Sequence, residues 1–305
     1  MSLIVTGASG HFGRRAAELL LEKVPASDLI LLTRKPASLA DFAARGAQVR
    51  RGDFDDPAGL PAAFAGGQHL LLISTDQVGG KRLQQHKCAI DAAVAAVVEH
   101  IVYTSFIGVG PDNPAISTRE HTATEAMLRE SGAAWTFLRD SQYSDAMARF
   151  IAPSVMPGGV WISAAAEGKI ALVARDDCVA CAVAVMSSSG HENRIYNITG
   201  PELLSYRDCA ALAAELGGRP IEYKVVGDEE KLAMFDAMGI PRQIEEDMSK
   251  SPSPWPGEEM VSFERAIREG HFAVLSDDVK TLTGRAPIAM REMYLRHIEL
   301  LRPPA

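Results

Sequence analysis

The chain reads as a doubly wound α/β protein, a parallel sheet with helices on both faces followed by a smaller C-terminal α/β region. Three observations predict this. Short apolar strands alternate with longer helical patterns through the first half. Those strands are continuously apolar, as strands covered on both faces are. A glycine-rich turn separates the first strand from the first helix. Strand, helix and strand repeated at this spacing give parallel pairing.

The elements follow in order. Leu3 to Thr6 is a strand, and Gly13 to Lys23 an amphipathic helix. A strand at Leu29 to Thr33 precedes a helical stretch over Leu39 to Arg45. Ala47 to Arg51 is a short strand, Pro57 to Phe64 a short helix, and His69 to Ser74 a buried strand. Asp55 or Asp56 is expected to cap the helix that Pro57 opens. Lys81 to Glu99 is a long Ala- and Val-rich helix. Strands at Ile101 to Ser105 and Trp135 to Arg139 flank a helix over Arg119 to Glu130. The second half is less regular. Asp140 to Ala166 reads as a long loop with a short helix, and Asp176 to Ser187 as a helix capped by Asp176 or Asp177. Arg194 to Thr199 is a strand, Ser205 to Leu216 a helix ending at Gly217-Gly218, and Ile221 to Val226 a strand. Ser249 to Gly257, with Pro252, Pro254 and Pro256, is a loop or lid. The expected division is residues 1–150 as a cofactor domain and 151–305 as a substrate-binding region, with some late elements returning to the first sheet.

Composition narrows the function classes. The 305 residues are 47% hydrophobic and 23% charged, in the range of folded soluble proteins. Lys plus Arg total 31 against 39 Asp plus Glu, a net charge of -8. That deficit argues against nucleic-acid binding through phosphate neutralisation. No apolar run approaches the roughly 18 residues of a membrane span. The strand beginning near residue 2 leaves no room for a targeting peptide, and a cytoplasmic protein is expected. The four cysteines, Cys88, Cys178, Cys181 and Cys209, suit no disulfide framework there. Cys178-Val179-Ala180-Cys181 lacks the second pair a zinc site requires, and no metal is expected.

Gly7-Ala8-Ser9-Gly10-His11-Phe12-Gly13 spaces its glycines as G-x-x-G-x-x-G between strand and helix. Glycines there allow a tight turn, close backbone approach to a pyrophosphate and close packing of the helix. The helix N-terminus adds unpaired N–H groups and a favourable dipole. The arrangement predicts a Rossmann-type dinucleotide site using Gly7, Ser9, Gly10, His11, Phe12 and Gly13. Where an NAD enzyme places a carboxylate for the ribose 2′-hydroxyl, this chain has Arg34 and Lys35. Cations complement a 2′-phosphate, so NADP(H) is the expected cofactor. Asp53 and Phe54 follow the third strand and are placed to face the adenine. Ser74 and Thr75 end the fourth strand and Ser105 the fifth, where sheet carboxyl ends line the crevice.

Short-chain dehydrogenases pair a Tyr with a Lys four residues later, the Lys lowering the hydroxyl pKa. The residues four after Tyr103, Tyr143, Tyr196, Tyr206, Tyr223 and Tyr294 are Ile107, Met147, Gly200, Ala210, Gly227 and Ile298. No G-x-S-x-G, H-E-x-x-H or P-loop is present either. Hydride transfer without that dyad suits an electron-poor acceptor, which needs positioning and exclusion of water more than acid catalysis.

The glycine loop, Gly52-Asp53-Phe54-Asp55, Arg119-Glu120-His121-Thr122-Ala123-Thr124-Glu125 and Trp135-Thr136-Phe137-Leu138-Arg139 with Tyr143 resemble the NmrA-like, atypical short-chain dehydrogenase/reductase family. Ala174-Arg175-Asp176-Asp177, Tyr196-Asn197-Ile198-Thr199-Gly200-Pro201 and Ser276-Asp277-Asp278 before Leu282-Thr283-Gly284 extend the resemblance over nearly the whole chain. It is nearest the branch of triphenylmethane reductase and type 2 NAD(P)H:quinone oxidoreductase. The resemblance implies an NADP domain, a smaller domain closing over a cleft, and a small aromatic or quinone-like substrate. His121 matches the position of a Lys in the family's ether reductases, a departure that puts ether chemistry in doubt. The family also contains dinucleotide-sensing regulators without turnover and reductases of specialised pathways, which stand as alternatives. A homo-oligomer is compatible with the sequence.

His121 is the candidate for orienting the substrate or donating a proton, because imidazole titrates near neutrality. A helix-surface or cofactor-contacting histidine is its alternative. Tyr143 is the second candidate catalytic residue, either touching nicotinamide and substrate or packing in its loop. Phe106 and Ile107 floor the nicotinamide pocket or belong to the core. His86 reads as structural. Met234, Met238 and Met248 line an adaptable pocket or fill the core.

Overall fold

The computed structural model describes residues 1–155, 159–245 and 248–302. Its eleven strands among those residues are β1 (Leu3–Val5), β2 (Leu29–Thr33), β3 (Gln48–Arg51), β4 (His69–Leu72), β5 (His100–Phe106), β6 (Ala134–Asp140), β7 (Val160–Ser163), β8 (Lys169–Ile170), β9 (Arg194–Ile198), β10 (Leu204–Ser205) and β11 (Glu222–Val225). The helices are α1 (His11–Leu20), α2 (Ala40–Ala44), α3 (Leu60–Phe64), α4 (Gly80–Ala95), α5 (Ile116–Glu130), α6 (Ser144–Ile151), α7 (Arg175–Met186), α8 (Tyr206–Gly217), α9 (Asp228–Ala237), α10 (Gly257–Arg268), α11 (Asp278–Thr283), α12 (Met290–Arg296) and α13 (Ile298–Leu301).

Seven strands form one parallel sheet in the order β3-β2-β1-β4-β5-β6-β9. The order reverses between β1 and β4, the switch point at which open α/β sheets bind ligands. Alternation along the strands assigns each face. Leu3, Val5, Leu31, Leu71, Val102 and Leu138 pack under α1 and α7, against Phe12, Ala16, Leu20 and Ala182. Ile4, Ile30, Leu70, Ile101, Tyr103 and Phe137 pack under α3, α4 and α5, against Phe64, Ile90 and Leu128. A separate core forms in the C-terminal region around Met147, Ile170, Tyr206, Phe272 and Tyr294.

Most expected elements form, with ends displaced by a few residues. The Asp140 to Ala166 stretch departs from the expected loop. It holds α6 and also the strand β7, which pairs in parallel with β11 at Val160↔Glu222. Neither Asp176 nor Asp177 caps α7. Ala174 occupies the N-cap, and the Asp177 carboxylate instead accepts the backbone N–H of Ile288 at 2.7 Å. Asp55 and Asp56 do not cap a helix opened by Pro57, since α3 starts at Leu60 with Gly59 as N-cap. The start of α8 does follow its sequence signal. Ser205 accepts from the Asp208 N–H, Asp208 accepts from the Ser205 N–H, and Gly218 ends the helix left-handed at φ +70°.

Where the glycine loop meets α1, the approach is close. A Cβ on Gly13 would lie 2.8 Å from Ala8 Cα and nearer still to the Gly7 carbonyl oxygen. Both obstacles are backbone, so Gly13→Ala must displace the helix or the loop. A destabilisation of about 1–3 kcal/mol is expected, measured as a lower denaturant midpoint at unchanged slope.

Candidate functional site

The crevice expected at the switch point lies past the carboxyl ends of β1 and β4. Thr6 holds it, its hydroxyl donating to Leu71 O at 3.1 Å and accepting from the Ile73 N–H at 3.0 Å. Gly7 then turns the chain at φ +57°. The Ala8 N–H donates to Leu32 O at 3.0 Å, and the Thr33 hydroxyl donates to Ser9 Oγ at 2.9 Å. These bonds fix the loop to the end of β2, beside the two expected cations. Gly10 is the N-cap of α1, with no side-chain cap and no acidic residue in the first turn. The first N–H groups of α1 therefore remain available to an anion. Ser9, Gly10 and His11 lie exposed at that end and share a surface depression with Arg14, Arg15 and Glu18.

Phe12 has its side chain buried with Leu3, Val5 and Leu20, and it lies in the first turn of α1, where its backbone N–H belongs to the helix end. Arg34 and Lys35 are exposed just past β2, and neither forms an ion pair among the described residues. Arg14, absent from the sequence prediction, stands near them, donating to Ser38 O at 3.4 Å and pairing with Asp41. Asp53 and Phe54 are half-buried after β3. Asp53 accepts the Asp55 N–H at 3.1 Å, and Phe54 packs on the β4 side of the core. Ser74 is half-buried, and its Oγ accepts from Thr104 Oγ1 at 3.3 Å. Thr75 Oγ1 is buried without a partner. Ser105 is placed otherwise than expected. It is buried, and its hydroxyl donates to Glu125 Oε1 at 2.7 Å, on the α5 side of the sheet rather than in the crevice.

These residues fit an NADP-type dinucleotide. The uncapped helix end suits a pyrophosphate, the free cations suit a 2′-phosphate, and Thr75 Oγ1 is an orphaned hydroxyl at the end of β4. Arg139 reinforces the neighbouring strand ends, with Nε and Nη2 donating to the two oxygens of the fully buried Glu125 at 2.8 and 2.7 Å.

Beyond β5 lies the second part of the site. His121, on the buried face of α5, is 6% exposed, and its Nδ1 lies 2.7 Å from the Tyr103 hydroxyl. Burial holds the imidazole pKa well below its ordinary value, and nearby Arg82 adds to the effect. Burial thus favours the neutral imidazole, which suits an orienting role better than donation from an imidazolium. Its ring stands 6.0 Å from that of Phe106, which meets Phe263 at 5.8 Å and Phe272 at 5.5 Å. Phe106 is half-buried, whereas Ile107 belongs to the core. His86 is buried, taking the Thr75 N–H at Nε2 (3.1 Å), and burial lowers its pKa to about 3. Alongside, the buried Arg82–Glu120 pair lies at 2.8 Å. Desolvation raises the Glu120 carboxyl to about 7.

Tyr143 sits half-buried beyond β6, its hydroxyl donating to Asp140 Oδ2 at 3.3 Å and its ring 5.2 Å from Arg175. Burial drives its pKa well up, so it is no ready proton donor. Asp140, which the sequence reading missed, is buried with Oδ1 unpartnered, and desolvation pushes its pKa to about 8. Met238, the C-cap of α9, is 58% exposed, against a core-filling role. Met234 and Met248 are half-buried. Cys178 and Cys181 are buried on α7. Among the described residues no group of three His, Cys, Asp or Glu could hold a metal, and no helix is long and apolar enough to cross a membrane.

Residues 7–185 match a family model for NAD(P)H binding. The chain is 37% identical over 239 residues to quinone oxidoreductase 2 of Escherichia coli, covering 78% of this chain and 82% of the relative. It is 29% identical over 299 residues to an NAD(P)H azoreductase of Xenophilus azovorans, covering 97% of each. The crystal structure of the NADPH-dependent quinone oxidoreductase of Escherichia coli with NADPH superposes at TM-score 0.87 and 31% identity, covering 97% of this chain and 99% of that one. Triphenylmethane reductase of Citrobacter sp. with NADP(H) gives 0.83 and 28%, with 97% and 99% covered.

The raised Asp140 pKa has a measurable sign. Between its ordinary 3.8 and about 8, the folded chain holds a proton that the unfolded chain releases. Stability from this group is thus lost as pH rises through that window. The Tm of Asp140→Asn minus that of the unmutated protein should grow from pH 5 to pH 8 (values spanning about that window). A difference independent of pH would refute the assignment.

Proposed function

The chain belongs to the NAD(P)H-binding, NmrA-like family of oxidoreductases, and on that premise we propose that it is an NADPH-dependent reductase of electron-poor acceptors. Quinones, triphenylmethane or azo dyes, and related conjugated aromatics form the acceptor class. The observation that carries this reading is the aromatic cluster past β5. Aromatic rings of Phe106, Phe263 and Phe272 stand beside a neutral imidazole. No tyrosine of the chain has a Lys four residues on.

A reduced nicotinamide, when bound, supplies the hydride. The chain's own residues do the rest. Gly7 to Gly13 present backbone N–H groups to the pyrophosphate, and Arg34 with Lys35 neutralises the 2′-phosphate. Phe106 and Phe263 offer flat apolar walls that orient a planar acceptor and exclude water, which is where most of the rate advantage arises for such substrates. His121 orients the acceptor as a neutral hydrogen-bonding group. Tyr143, held by Asp140, forms part of the wall rather than an acid. Relatives that carry quinone oxidoreductase, azoreductase and triphenylmethane reductase names support this acceptor class.

Two experiments test the proposal. Arg34→Ala should raise the NADPH dissociation constant about tenfold, a loss of ~1.4 kcal/mol, while leaving that of NADH nearly unchanged. Equal effects on both would remove the 2′-phosphate assignment. Purified protein should oxidise NADPH with at least one of a benzoquinone, a naphthoquinone, a triphenylmethane dye and an azo dye. Tight NADPH binding without turnover of any of them would overturn the reductase reading and favour a dinucleotide-sensing regulator.

A further inference from the structure

The Tyr103–His121 contact has a direction that its surroundings determine. His86 Nε2 accepts the Thr75 backbone N–H, which has no alternative role but donor, so the His86 ring proton is on Nδ1. That nitrogen lies 3.0 Å from Thr124 Oγ1 and donates to it. The Thr124 hydroxyl has one proton, and it goes to Glu120 O at 2.9 Å. Thr124 therefore has no proton left for Tyr103, and the Tyr103 hydroxyl has His121 Nδ1 as its one hydrogen-bonded partner among the described residues, so the phenolic proton goes there. The Tyr103 hydroxyl is fully buried and has His121 Nδ1 at 2.7 Å. Burial keeps the phenol protonated. A neutral imidazole receiving that proton at Nδ1 carries its own at Nε2. Nε2 has no acceptor among the described residues and is not among the fully buried unpartnered atoms, and the ring lies beside half-buried Phe106.

We infer that Tyr103 is a positioning residue that fixes His121 as the Nε2–H tautomer, so that His121 meets an acceptor oxygen as a neutral hydrogen-bond donor. The inference rests on the reductase reading and narrows it, favouring acceptors whose reduction builds negative charge on oxygen, as in quinones. The acceptor carbon system gains a hydride from the reduced dinucleotide, which is oxidised. The charge that accumulates on the acceptor oxygen is stabilised by the Nε2–H group. The oxygen then takes one proton from water, and His121 keeps its own. No proton passes to or from Tyr103, in keeping with its burial.

The test compares two acceptors in the full-length protein. A quinone reacts at a system bearing oxygen, whereas a triphenylmethane dye cation accepts hydride at a carbon with no oxygen on it. Tyr103→Phe removes the proton that sets the tautomer. The quinone-to-dye ratio of kcat is expected to fall about tenfold, within the effect of losing one oriented oxyanion donor. Parallel losses with both acceptors would show a merely structural role and overturn the proposal. Independently, nitrogen-15 NMR of the unmutated protein with NADPH reads the tautomer directly, whether or not the variant folds. A proton on Nε2 and none on Nδ1 is expected, and a proton on Nδ1 refutes the inference. Absence of turnover with every acceptor would instead count against the reductase reading, and the NMR result would still decide the tautomer.

Discussion

The closeness of α1 to the glycine loop is the constraint on which the rest of the site depends. At Gly13 a side chain has no room, because the Gly7 carbonyl and Ala8 Cα already occupy the space. That approach brings the first N–H groups of α1 to the mouth of the crevice, next to the loop bonds from Ala8 and Ser9 to β2. Through those bonds the turn carrying Arg34 and Lys35 is held at a fixed distance from the helix end. Moving the helix would shift the anion site away from its neighbouring cations. A single missing methyl group therefore sets the spacing between two parts of one ligand.

The two ends of the crevice differ electrically for a common reason. Near β2 the cations are exposed, and water maintains their charge. Past β5 and β6 the polar groups lie under helices, and burial favours whichever form is uncharged. It lowers His86 and His121 and raises Asp140, Tyr103 and Tyr143. The result is exposed cations at one end and, at the other, uncharged imidazole and phenol groups among aromatic rings, beside the buried Arg82–Glu120 pair.

Much of this was legible in the residues. The alternation of strands and helices, the glycine loop and the cations after β2 each follow from local pattern, and the structure places the last two beside each other. The failures also have physical causes. Ser105 was read from its position at a strand end, but alternation puts it on the face shared with Tyr103 and so toward α5 and Glu125. That error came from reading position along the chain without reading the face. Asp140 and the direction of the Tyr103 hydroxyl were not accessible that way, because they depend on contacts between α4, α5, α7 and the sheet. The strand β7 was hidden by its partner β11, which lies some sixty residues later in the chain, as the pairing of Val160 with Glu222 shows.

The last strand of the main sheet has a consequence for how such a protein can change over evolutionary time. Strand β9 pairs with β6 from Thr136↔Arg194 to Asp140↔Ile198, and α7 covers the sheet beside it. Asn197 further receives Asp278 from near the end of the chain, its N–H donating to the carboxylate at 2.7 Å. A nucleotide-binding module cut out near residue 150 would lack an edge strand, a covering helix and that late tether, leaving Phe137 and Leu138 beside an open sheet edge. The cofactor half is thus not a portable cassette.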